Sequence, residues 1–389
     1  MIERIKNIDI FSPYIVVFAI LVFLGMGYFG SFNYRFDSPL SIEAILIILY
    51  SVLIFIIGVL IIGKFFVFKK SNISQFNFTL SISKLLNEKL LVFLVLIALS
   101  LQIINLIYLG GIPLFNSILK ANATTNLWRI SYILFLPSIN ILIAKYYNKK
   151  YFLLILFALL LYTLNGYRTS IIAILISLFI TFYYLGNLNR KIAIIFIVLM
   201  GGLGLAIGFI ASQSIVGQNW MLNPLELVFY RAGFTLKVFD NIVPLAGSTG
   251  GHILAMVFSS GSPRTFIGEY VLHYHALITS TLFGPVYLDF GLIGLTIQMF
   301  FFGSFLKLIY MIQKNIKGLA IGIYAIILAH ILIWIETGPT DIMIWFFLLL
   351  GCILIVFNKD KIQFKGINSW YFSFIFFNDS FNLKYSYRH

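Results

Sequence analysis

Five arginines, Arg35, Arg129, Arg168, Arg231 and Arg264, fall in the segments of this chain where positive charge is least expected. A guanidinium offers a planar fork of donors that grips phosphate bidentately, whereas an ammonium acts as a point charge. The same half of the sequence that holds Arg231 and Arg264 carries proton-accepting groups at Glu269, His273, His275 and Asp289. Cations beside a leaving phosphate, with a carboxylate or imidazole beside an attacking hydroxyl, suit group transfer from an anionic, diphosphate-bearing ligand. His273 and His275 are two residues apart and do not share a helical face. With no cysteine or third histidine near them, a metal site is not expected.

The elements that must position these residues are set by composition. The chain is 61% hydrophobic and 10% charged, against roughly 25% charged residues in a soluble domain, so it belongs in a membrane. Its net charge of +14 does not point to nucleic acid. Most of it is a lysine excess on one face, which suits an anionic inner leaflet. The single cysteine, Cys352, lies in an apolar run and allows no intrachain disulfide. The first apolar run, Tyr14–Phe32, has no small-x-small cleavage site after it and reads as an anchor.

A span needs about 20 apolar residues. Runs at 14–32, 42–62, 90–109, 130–145, 151–166, 169–186, 192–211, 284–306, 318–335 and 341–357 supply about ten spans, within a range of about nine to twelve. Residues 1–357 thus form a single polytopic, all-α membrane domain, and 358–389 form a polar tail. With both termini cytoplasmic, one set of loops holds Arg4, Arg190, Arg388 and every lysine except Lys120 and Lys237. That side reads as cytoplasmic. The five arginines fall on the external face, where orientation does not require them.

The largest external loop, 212–283, carries part of the expected site. Asn223-Pro224 reads as a helix cap followed by proline at the first position. The helix it opens runs to about Val243, with Leu227, Phe234 and Val238 on one face, as for a helix lying along the bilayer surface. Gly247–His252 and Ser259–Arg264 are glycine-rich turns whose backbone N–H groups could cradle an anion. Asp289, in an otherwise apolar run, is expected to face a cavity. Glu336 and Asp341, flanking a Gly-Pro turn, read as helix ends. Arg168 sits at a hairpin tip, and the 18 residues from Lys150 reach about 27 Å as helix, which places it just below the outer surface. On the inner side, Phe76, Phe78, Leu80 and Ile82 alternate with polar residues as in a short strand or interfacial segment. Trp370–Phe377 forms an aromatic patch in a dispensable tail.

Several segments together resemble oligosaccharide repeat-unit polymerases. Leu109-Gly110-Gly111-Ile112-Pro113-Leu114-Phe115 is similar to a GGIPLF-type signature of those proteins. Thr279–Gly294, entering a span after the large loop, and Arg231-Ala232-Gly233 within it are similar too. The plan of many spans with one dominant external loop resembles the Wzy-type O-antigen polymerases, including their archaeal branch. The related ligases carry a His-Asn pair where this chain has His273-Tyr274-His275. The resemblance implies a GT-C-like membrane glycosyltransferase of the cell envelope. It would move an oligosaccharide from a polyprenyl diphosphate carrier to another lipid-linked repeat unit, with no nucleotide sugar, metal or other cofactor. Its partners would be the lipid-linked glycan, membrane lipids and other glycan-assembly proteins. A ligase using a different acceptor, or a transporter of lipid-linked or anionic solutes, remains an alternative. Within this scheme Arg168, Arg231 and Arg264 hold the diphosphate, with Arg129 and Arg35 behind them. Arg231→Lys is expected to shorten the polymer sharply and Lys237→Ala to matter little.

Overall fold

The computed structural model describes residues 9–33, 35–68, 86–116, 119, 122–186, 202, 222–259 and 261–364. Nine helices among these residues coincide with expected spans: α1 (Tyr14–Gly30), α2 (Ile42–Phe65), α3 (Glu88–Tyr108), α4 (Asn126–Tyr146), α5 (Tyr151–Leu164), α6 (Arg168–Tyr184), α10 (Gly284–Ile316), α11 (Leu319–Thr337) and α12 (Ile342–Val356). Between α6 and α10 lie α7 (Pro224–Ile242), α8 (His252–Val257) and α9 (Pro263–Leu272). The expected span 192–211 apart from Gly202, the run Phe76–Ile82 and the patch Trp370–Phe377 lie outside the described residues. Five helices are long and apolar enough to cross a membrane, namely α2, α3, α4, α10 and α11, and shorter apolar helices stand beside them. The protein is a multi-pass membrane protein built mainly of helices.

The helices start where polar side chains satisfy their first N–H groups. Ser41 Oγ accepts from Ala44 N at 3.1 Å, Asn87 Oδ1 from Leu90 N at 2.8 Å and Thr125 Oγ1 from Trp128 N at 3.2 Å. Their ends sort into two groups. At the lysine-rich end, Lys150 meets Glu88 at 3.4 Å, and Asp9 gathers Tyr184, Tyr310 and Lys314. Here β1 (Phe66–Phe68) pairs antiparallel with β2 (Ile362–Phe364), so the start of the expected tail is folded onto the end of α2. At the other end, Asn105 Nδ2 donates to Asn165 Oδ1 at 3.3 Å, tying α3 to the α5–α6 hairpin, and Thr125 donates to Asn105.

The interior forms around α11, which is buried on every side from Ala320 to Ile331. One apolar cluster gathers α1, α2, α7 and α10 against it, and a second gathers α3 to α6 and α12. Small residues permit the close crossings, as expected where hydrocarbon gives helices no hydrophobic reason to associate. A Cβ on Gly303 of α10 would sit 2.2 Å from Phe55 O of α2, and one on Gly30 of α1 would sit 1.8 Å from Phe229 O of α7. This corrects the expectation for 224–242. Its buried residues are Ala232, Gly233, Thr235, Leu236, Val238, Phe239 and Ile242, with Ala232, Gly233 and Leu236 against α1. Of the expected Leu227/Phe234/Val238 face, Val238 is buried in protein and the other two partly so, and the helix packs into the bundle.

α10 is longer than expected. At 33 residues it would reach about 50 Å as a straight helix, but Gly291 (φ 59°, ψ −150°) interrupts it. Near this break Tyr287 O accepts from Gly247 N at 3.0 Å and Leu288 O from Thr249 N at 3.3 Å. Irregular backbone at such a depth is tolerated when protein covers it.

Candidate anion-binding site

The turn joining α11 to α12 is where the arginines meet. α11 stops because Gly338 takes a positive φ of 74° and Pro339 follows. A Cβ on Gly338 would lie 2.7 Å from Thr281 O, so the turn is seated against the loop before α10. Asp341 then caps α12, accepting from Met343 N at 3.2 Å.

Two elements of the large loop deliver arginine to this turn. In α7, Asn223 and Glu226 form a capping box with Pro224 at the first position, as its sequence indicates. Arg231, two turns on, donates from Nε to Glu336 Oε1 at 2.7 Å. In α9, Ser262 caps the helix and Pro263 opens it, so Arg264 stands in the first turn. Its carbonyl is fixed by Ile278 N at 3.2 Å, and its Nε donates to Thr340 Oγ1 at 3.0 Å. Both guanidiniums are thus anchored through Nε. Their terminal Nη groups make no hydrogen bond among the described residues.

Burial lowers the pKa of Arg264, an effect opposed by Asp341, Tyr167 and Glu336 and reinforced by Arg231. An arginine so placed keeps its charge at neutral pH. Tyr167 belongs to the α5–α6 hairpin, and burial raises its pKa. The hairpin tip therefore stands within electrostatic reach of Arg264, and Arg168 begins α6 there as the next residue. Trp128 at the start of α4 packs on Tyr167, ring centroids 5.8 Å apart, which brings the exposed Arg129 to the border of this region. Arg35 lies elsewhere. Its guanidinium sits over the Tyr230 ring at 5.6 Å, beside a cavity of about 200 Å³ that Lys237 also lines.

The four expected proton acceptors are not joined to this turn by any hydrogen bond or ion pair among the described residues. Glu269 and His275 pair with each other and are exposed, and His273 ends α9 in a left-handed conformation (φ 54°). Asp289 is buried and fully occupied. It accepts from Thr249 Oγ1 at 2.5 Å, Ile253 N at 3.0 Å and Leu254 N at 2.8 Å, so it fastens the start of α8 to α10. The Gly247–His252 turn spends two of its N–H groups on α10 carbonyls. Of the two carboxylates expected at helix ends, Glu336 pairs with Arg231 and Asp341 acts on Arg264 electrostatically. Asp341 is also such an end. Lys237 is tied into the fold. It donates to Asp240 Oδ2 at 2.6 Å with both side chains largely buried, and reaches Ser38 and Pro39 O.

The sequence is similar to other membrane-family proteins. A family described as "Putative O-antigen polymerase" matches residues 9–348. Two relatives from Methanocaldococcus jannaschii are both uncharacterized proteins. MJ0419 is 28% identical over 337 residues, covering 83% of this chain and 91% of its own. MJ0420 is 31% identical over 331 residues, covering 84% of this chain and 73% of its own. No solved structure matches. A family match that runs from before α1 into α12, through every element that builds the arginine turn, makes this chain a member of the O-antigen polymerase family.

Proposed function

We propose that this protein polymerises glycans on the outer face of the membrane. It takes an oligosaccharide repeat unit from a polyprenyl diphosphate carrier and joins it to the terminal sugar of another lipid-linked unit. The observation that carries this reading is the convergence of Arg231 and Arg264, from two helices of one loop, on a single turn, with no hydrogen bond from their Nη groups among the described residues. Two parallel N–H groups on each fork match the oxygens of a diphosphate. Buried donors without partners among the described residues, Trp128 Nε1 and Asn165 Nδ2, stand on the elements next to Tyr167 and also suit an oxygen-rich ligand.

In the reaction the acceptor hydroxyl oxygen bonds to the anomeric carbon while the bond from that carbon to the diphosphate oxygen breaks. The electron pair leaves with the diphosphate, where Arg231, Arg264 and Arg168 stabilise the developing charge. The hydroxyl proton goes to a carboxylate. Glu336 suits this role, because it is the carboxylate held directly against an arginine of the turn. Deleting the gene is expected to leave single repeat units on the carrier or the cell surface, and Arg264→Lys to give the same defect on complementation. Long glycans stranded on the carrier would identify a ligase instead, and an unchanged glycan profile would refute both.

A further inference from the structure

Beside the arginine turn lies an apolar groove. It measures about 430 Å³, within the roughly 300–1,000 Å³ of small-molecule sites. Phe290, Ile293 and Ile297 of α10, Leu254 of α8 and Trp345 of α12 line it, and Pro339 of the turn lies at its edge. Ile293 and Ile297 are 76% and 66% exposed, so the groove opens on the side of the bundle. Its polar groups are withdrawn: Asp289 is occupied by its three donors, and Gln298 Nε2 donates to Leu282 O at 2.9 Å. Trp345 Nε1 is the exception, buried with no hydrogen-bond partner among the described residues.

We propose that this groove seats the first isoprene units of a polyprenyl diphosphate, an inference that rests on the carrier assigned above. Continuity decides the occupant. Pro339 borders the groove, and the next residue, Thr340, holds Arg264. A ligand with its diphosphate on the two forks therefore runs its chain straight into the groove, and an oxygen at its head end reaches the unpartnered Trp345 N–H. The groove gains no hydrophobic free energy over lipid, since bilayer hydrocarbon is equally apolar. What it supplies is alignment of the carrier's anomeric bond with the acceptor, and loss of alignment is expected to reduce transfer at least about tenfold.

The test uses the full-length chain in phosphatidylcholine nanodiscs and a sugar-free polyprenyl diphosphate bearing a diazirine on its first isoprene units. Crosslinks mapped by mass spectrometry are expected in residues 286–301 and 342–350. Unlabelled polyprenyl diphosphate should compete, whereas excess phosphatidylglycerol should not. Ile297→Trp, at an exposed position, should cut labelling about tenfold and slow transfer from a long-chain donor more than from a short-chain one. Leu254→Trp replaces it if the first variant is unstable. Labelling elsewhere, full competition by phosphatidylglycerol, or equal losses with both donors would overturn the groove. Labelling of the groove in a protein with no glycan phenotype would uphold it and sink the polymerase reading instead.

Discussion

Arg231→Lys keeps a positive charge at the turn between α11 and α12 while removing the fork. Its expected effects on stability and on activity differ in size. The Arg231 and Glu336 side chains are 46% and 34% exposed, and such pairs contribute about 0–1 kcal/mol. A lysine retains part of that, so the unfolding midpoint should scarcely move. In the transition state the fork makes charge-assisted hydrogen bonds worth about 1.5–3 kcal/mol, and an ammonium cannot reproduce their parallel geometry. Transfer should therefore fall about ten- to a hundredfold in kcat/KM. The assay pairs thermal unfolding of the purified protein with product-length analysis on a lipid-linked repeat unit. Glu336→Gln in the same assay should depress kcat more than donor KM if that carboxylate receives the proton. Wild-type chain lengths from Arg231→Lys, or an activity loss that merely tracks lost stability, would refute the phosphate-fork argument.

Lys237→Ala should destabilise the protein by about 1–3 kcal/mol, because it leaves the largely buried Asp240 without its cation. Thermal unfolding checks this, and Asp240→Asn in the same chain should recover part of the loss. Gly30→Ala should abolish accumulation of folded protein, since its Cβ would fall 1.8 Å from Phe229 O and force α1 from α7; membrane yield and monodispersity report it. Asp289→Asn should cost about 1–3 kcal/mol by weakening its hold on the first N–H groups of α8. Its activity should survive better than that of Arg231→Lys, because Asp289 touches α8 and the Gly247–His252 turn, not the arginines.

The apolar helices were legible because each needs only a long apolar run. The capping residues were legible for a similarly local reason: Asn223-Pro224 and the side chain of Glu226 satisfy N–H groups a few residues away. The length of α10 was not. Its break at Gly291 depends on a loop some forty residues earlier that supplies N–H groups to Tyr287 and Leu288, and hydropathy carries no trace of that pairing. The structural pairing of Lys237 was hidden for the same reason, because Ser41 of a distant loop shares its partner Asp240.

The site divides along the same line. Residue type offered Arg231 and Arg264, with Arg168, as candidate phosphate ligands, and the fold brings the first two to one turn. Residue type could not choose among the carboxylates. Asp289 looked reactive because it is an acid in an apolar run, yet burial of a charge demands partners, and it has three. Glu336 looked idle because it ends a helix, yet its partner is 105 residues away. In a membrane bundle an ionisable residue's role depends on which helix ends share its face. Here Gly30 and Gly233 seat α7 on α1, Gly268 seats α9 on the loop that follows it and Gly338 seats the α11–α12 turn on the loop before α10, and none of these carries chemistry of its own. The glycines decide which acid meets which arginine, and a change at Gly338 should disturb phosphate recognition as much as a change at the fork it positions.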